Sequence, residues 1–92
     1  MDLRITSYGN FLKVKGVLHK RNVHLFTKEL VDLLERENSV VINVESLEHV
    51  DRYGIKAILE LHKESIKRRK NVSFIGSGPT ILYNKFKSDK AA

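Results

Sequence analysis

Residues 40 to 61 read V-V-I-N-V-E-S-L-E-H-V-D-R-Y-G-I-K-A-I-L-E-L. The stretch opens on five residues that are almost uniformly apolar, Val40 to Val44. That run is too short for a surface helix and reads as a central strand covered on both faces or nearly so. From Ile55 the apolar positions fall at 55, 58, 59, 62 and 66, which is helical spacing. Between strand and helix lies a loop, 49 to 55, carrying an aspartate, an arginine, a tyrosine and a glycine. Asp51 is placed to cap the helix, since its carboxylate can accept N–H groups two or three residues on, a contact that contributes about 1 kcal/mol. Gly54 then lets the helix start approach the sheet closely.

Upstream, residues 22 to 37 place apolar side chains at 23, 26, 30, 33 and 34, again a helix, with Asn22 as its cap and Asn38 and Ser39 at its end. Before it, L-R-I-T-S at 3 to 7 and F-L-K-V-K-G-V at 11 to 17 alternate as strands around a Y-G-N turn and predict a hairpin. In the second of these, Leu12 and Val14 face one way and Lys13 and Lys15 the other. Downstream, V-S-F-I at 72 to 75 reads as a second buried strand. G-S-G-P at 76 to 79 reads as a loop with proline in the first turn of a short helix bearing Ile81, Leu82 and Phe86. The predicted order is β-β-α-β-α-β-α. It gives a mixed four-stranded α/β sheet with helices mainly on one face, and the two strands bracketing the second helix run parallel. A single domain is expected over 1–88, with 89–92 a disordered tail.

Composition narrows the function. The 92 residues are 41% hydrophobic and 30% charged, with a net charge of +6 and no cysteine. Disulfides, thiol nucleophiles and cysteine-ligated zinc are thereby excluded, and a cytoplasmic location is expected. No apolar run approaches the roughly 20 residues that span a bilayer, and M-D-L-R-I-T lacks the features of a secretory signal. There is no P-loop, no G-x-S-x-G and no acid–base pair, so no enzyme is expected. The glycine-rich G-S-G-P-T at 76 to 80 could receive a phosphate but lacks a nucleotide loop's lysine. The histidines at 19, 24, 49 and 62 lack metal-ligand spacing, so neither metal nor cofactor is expected.

Taken together, V-K-G-V-L-H, then E-N-S-V-V-I-N-V-E-S-L-E-H-V-D-R-Y-G-I-K-A-I-L-E-L-H, then N-V-S-F-I-G-S-G-P-T-I resemble the STAS domain in order and spacing. This is the module named for sulphate transporters and anti-sigma factor antagonists. The resemblance implies a non-catalytic bacterial protein-interaction module. Its partner would be an anti-sigma-type kinase, a stressosome-like assembly or the ATPase of a lipid-transport system. In the antagonists, a serine before the loop glycine is commonly phosphorylated by the partner kinase. Here Asp51 and Gly54 match that loop, but Arg52 and Tyr53 replace the two small hydroxyl residues. His19 stands where an earlier box usually has aspartate.

The partner surface implied is Asp51, Arg52, Tyr53 and Gly54, with Lys56, Glu60 and Lys63 on the helix that follows. Tyr53 has two readings, packing over the sheet edge or making a partner contact. Tyrosine and arginine are the residue types enriched at binding hot spots. An alternative from a different class is a basic surface for nucleic acid or anionic lipid, formed by Lys63 with Lys67, Arg68, Arg69 and Lys70. A helix terminus also explains those cations, and no aromatic residue interleaves with them.

Overall fold

The computed structural model describes residues 2–76. Two strands open the chain, β1 (Leu3–Tyr8) and β2 (Phe11–Leu18), followed by helix α1 (Val23–Arg36) and strand β3 (Ser39–Asn43). Strand β4 (Leu47–Val50), helix α2 (Arg52–Lys67) and strand β5 (Asn71–Ile75) complete the described elements. The hairpin forms as expected: β1 and β2 are antiparallel, and Tyr8 pairs with Phe11 across a two-residue Gly9–Asn10 turn. Gly9 has φ of 59°, the positive value that such turns ask of a central residue. The sheet runs β1-β2-β3-β5, and β2–β3 and β3–β5 are parallel, as crossover helices require.

The sheet has five strands among the described residues, one more than the sequence suggested. The extra strand, β4, takes the first two residues of the stretch read as a loop, His49 and Val50, and the two before them. It pairs in parallel with the C-terminal part of β2, beyond the residues of β2 that pair with β3. Four residues, only two of them buried, leave almost no periodic signal. The step from β3 to β4 is matched on β2 by a register shift between Gly16 and Val17. There Gly16 takes φ of 103°, the Gly16 amide bonds the carbonyl of Ser46 and the Val17 amide bonds that of Asp2. Such a bulge bends the strand and re-aims its end, which here carries Leu18 and His19 toward the start of α2.

Both helices bury one stripe against one face of the sheet. In α1 the buried residues are Phe26, Leu30, Leu33 and Leu34, as the periodicity predicts. In α2 they are Gly54, Ile55, Ile58, Leu61 and Ser65, so the stripe is turned from the expected positions 62 and 66, and Ile66 is exposed. Ser65 is tolerated inside because its hydroxyl donates to the His62 carbonyl at 2.6 Å. β3 is central, yet only Val40 and Ile42 are fully buried; Val41 and Asn43 lie on the opposite, partly open face. β5 is likewise not a buried strand: Asn71, Ser73 and Ile75 are exposed, and Val72 and Phe74 pack against the core. Asn22 occupies the N-cap position of α1 but does not cap it. Its side chain instead accepts from the His19 amide and donates to the Val17 carbonyl. The expected third helix, the Ser77–Pro79 part of the glycine-rich loop and the boundary at 88 lie outside the described residues.

The end of α2 is closed by a six-residue turn in which the Arg69 amide bonds the Ile66 carbonyl and the Lys70 amide bonds the Ser65 carbonyl. Arg69 sits at the left-handed position of this motif, with φ of 59°. Side chains disfavour that conformation and glycine does not. We expect Arg69→Gly to raise stability by about 0.5–1 kcal/mol, read as a higher midpoint in urea with an unchanged slope. A lower midpoint would show that the guanidinium makes a contact outweighing the backbone strain.

Candidate functional site at the start of α2

Asp51 follows β4 directly, and its amide bonds the carbonyl of Leu18 at the end of β2. That bond ties the start of α2 to the turn after β2. The carboxylate completes the junction. Oδ1 accepts the Gly54 amide at 2.9 Å, the capping contact expected from sequence, and Oδ2 accepts the Lys20 amide at 2.9 Å. One side chain therefore holds two segments in register. Lys20 is the residue that the sequence reading missed, because nothing local in K-R-N-V points 31 residues ahead.

Partial desolvation raises the Asp51 pKa, but the amides of Gly54, Lys20 and Tyr53, helped by the field of His19, outweigh it and hold the carboxyl below its usual value. A carboxylate whose folded pKa is depressed contributes stability that is complete above its unfolded pKa of about 3.9. That contribution is lost as pH falls through the lower folded value. Asp51→Asn should therefore be less stable than wild type at neutral pH, and its stability should fall less steeply below about pH 4. Denaturant melts from pH 2 to 7 measure this, and parallel acid limbs for the two proteins would rule the linkage out.

Gly54 meets the expectation of close approach. A Cβ there would lie 2.8 Å from Val50 Cγ1 and 3.0 Å from Leu18 Cγ, both in the core. The helix start is thus pressed onto the sheet, and the side chains of Arg52 and Tyr53 are left at the surface. Tyr53 is 37% exposed. Its ring has the Lys20 ammonium 5.2 Å and the Arg52 guanidinium 5.1 Å from its centroid, and Arg52 Nη2 donates to the Tyr53 hydroxyl at 3.3 Å. Two cations and an aromatic ring thus form one surface cluster, with the ring neither buried in the sheet nor fully free.

His19 orders the turn that follows β2. Its Nδ1 accepts the Arg21 amide at 3.1 Å, as a carboxylate would in a tight turn. That assignment leaves the proton on Nε2, which lies 3.1 Å from Asp2 Oδ2. On α2, Lys56, Glu60 and Lys63 are all exposed. The basic run is more committed. Arg68 pairs with Glu64 at 3.1 Å, and Lys70 Nζ donates to the carbonyls of Leu34 and Glu37, closing the C-terminal end of α1. Of the five cations expected to act together, Lys63, Lys67, Arg68 and Arg69 are exposed, and Lys70 is a structural cap. No group of His, Asp and Glu that could hold a metal occurs among the described residues. No helix among them is long and apolar enough to cross a membrane.

The STAS domain profile matches residues 3–84. The chain belongs to the STAS family. The five-stranded mixed sheet with its two helices is also the fold of solved anti-sigma factor antagonists. One, from Mycobacterium paratuberculosis, superposes with a TM-score of 0.71 at 13% identity, over 97% of this chain and 80% of that one. The antagonist SpoIIAA in its unphosphorylated form gives 0.66 at 14% identity, over 86% and 76%. Mglu gives 0.65 at 22% identity over 77% of this STAS chain, which spans only 18% of the length of Mglu. These superpositions show a shared fold and no more. No curated protein matches the sequence.

Proposed function

We propose that this STAS domain is a non-catalytic bacterial protein-interaction module of the antagonist type whose contact surface is fixed rather than switched by serine phosphorylation. The observation that carries the reading is the cluster of Lys20, Arg52 and Tyr53 at the start of α2, anchored by Asp51. Where an antagonist commonly presents a serine, this chain presents a ring already flanked by cations. A tyrosine so placed loses little side-chain freedom on binding, and arginine adds directional donors. Lys56, Glu60 and Lys63 extend the same surface along α2. A cytoplasmic protein partner fits it, whether an anti-sigma-type kinase, a stressosome-like assembly or a transport ATPase. The commitment of Lys70 to the carbonyls of Leu34 and Glu37 removes one cation from the alternative of a helix-end basic surface.

The test is a footprint. A partner captured from the native cell is added back to the deuterated domain, and amide exchange is compared with and without it. Protection should concentrate at residues 19–21 and 51–63. Protection confined to the sheet strands or to residues 67–70 would place the interface elsewhere and overturn the reading.

A further inference from the structure

The helices cover one face of the sheet, and the register lays out what stands on the other. Tyr8 lies directly opposite Phe11, and Phe11 is level with Val41. One step along, Thr6 is opposite Lys13, which is level with Asn43 and then Ile75. A further step brings Arg4 opposite Lys15. The face is therefore banded. Aromatic side chains occupy the turn end, and three cations, Arg4, Lys13 and Lys15, occupy the next two rows at intervals of about 7 Å. Tyr8 is 84% exposed, the most exposed large apolar side chain among the described residues, and no core packing explains it. None of the three cations is in an ion pair among the described residues. Two carboxylates, Asp2 and Glu48, share with Arg4 and Lys15 an open groove of about 400 Å³ at the far end of the face.

We infer that this sheet face binds single-stranded RNA. The exposed ring of Tyr8 and the half-buried ring of Phe11 on the adjacent strand provide a surface on which bases stack, and the basic rows beside them meet the phosphates. An acidic peptide would satisfy the cations but would leave Tyr8 and Phe11 without a counterpart. Duplex nucleic acid would present no free base faces to the rings. RNA is favoured over DNA because the hydroxyls of Thr6 and Ser73 and the amide of Asn43 share the face and can meet a 2′-hydroxyl, which donates and accepts. This surface is separate from the Asp51 cluster, so the inference stands independently of the proposed protein interface.

The experiment is fluorescence anisotropy of the whole domain with a labelled 12-nucleotide mixed-sequence RNA, titrated from 50 to 300 mM salt. Binding should weaken steeply with salt. Tyr8→Ala should lower affinity at least about fivefold, and replacing Lys13 and Lys15 by alanine should reduce the logarithmic salt slope by about 1.4. Tyr8 and both lysines are exposed, so the variants keep their fold, which a thermal melt verifies. Lys67→Ala with Arg69→Ala, at the helix end, should leave binding unchanged. Four results would overturn the inference: no binding at 50 mM salt, an unchanged affinity for Tyr8→Ala, loss through the helix-end variant alone, or equal competition by a poly-glutamate peptide. Equal affinity for a DNA strand of the same sequence would refute the assignment to RNA.

Discussion

Gly16→Ala is expected to destabilise the domain by about 3 kcal/mol or more, a large share of the 5–15 kcal/mol typical of such folds. Two costs add. Gly16 has φ of 103°, which a side chain strains against. A Cβ there would also lie 2.1 Å from the Asp2 carbonyl oxygen, which is backbone and cannot rotate away. Relief requires the start of β1 to lift, breaking the 2.7 Å bond from the Val17 amide to that oxygen and loosening the buried Leu3. The midpoint of thermal unfolding should fall by roughly 15 °C. Gly9→Ala is the control: its φ is also positive, at 59°, but a Cβ there meets nothing within 4 Å. It should cost about 1 kcal/mol, the conformational part alone. Equal losses for the two variants would mean that the contact with Asp2 is unimportant.

The parts of this fold that were legible in the sequence are those with a long period. Helix α1 announces itself through Phe26, Leu30, Leu33 and Leu34, and the hairpin through the alternation of Leu12 and Val14 with Lys13 and Lys15. What escaped depends on partners distant in sequence. β4 is strand only because the bulge at Gly16 presents the end of β2 to it. Its own four residues, L-E-H-V, carry no decisive pattern. V-S-F-I looks buried by composition, but its place at the edge of the described sheet is set by topology. The stripe of α2 turned because a serine can be buried when its hydroxyl bonds a carbonyl of its own helix, which hydropathy does not register.

The candidate site divides in the same way. Asp51 as a cap and Gly54 as a point of close approach follow from local chemistry, and both contacts are present. Lys20 does not follow, since its link to Asp51 and Tyr53 exists only once the turn after β2 meets the start of α2. The commitment of Lys70 to the carbonyls of Leu34 and Glu37 is equally non-local, and it removes from the basic run a cation that composition alone assigned to it.

Tyr53→Ala addresses the contact surface itself. The ring is partly exposed and fills no core cavity, so its removal forfeits two surface cation–π contacts of about 0.5–1 kcal/mol each and little else within the domain. At an interface the same ring would be desolvated in place, with Lys20 and Arg52 already arranged beside it, which is the situation of a hot spot. Binding should therefore weaken by about 2 kcal/mol or more, roughly 30-fold in Kd. Calorimetric titration of the wild type and Tyr53→Ala against the captured partner, with a thermal melt of each, is the most direct measurement. We expect a large loss of affinity and a melt lowered by no more than about 10 °C. An unchanged Kd with a markedly lower melting temperature would make Tyr53 a packing residue and contradict the assignment of the partner surface to the start of α2.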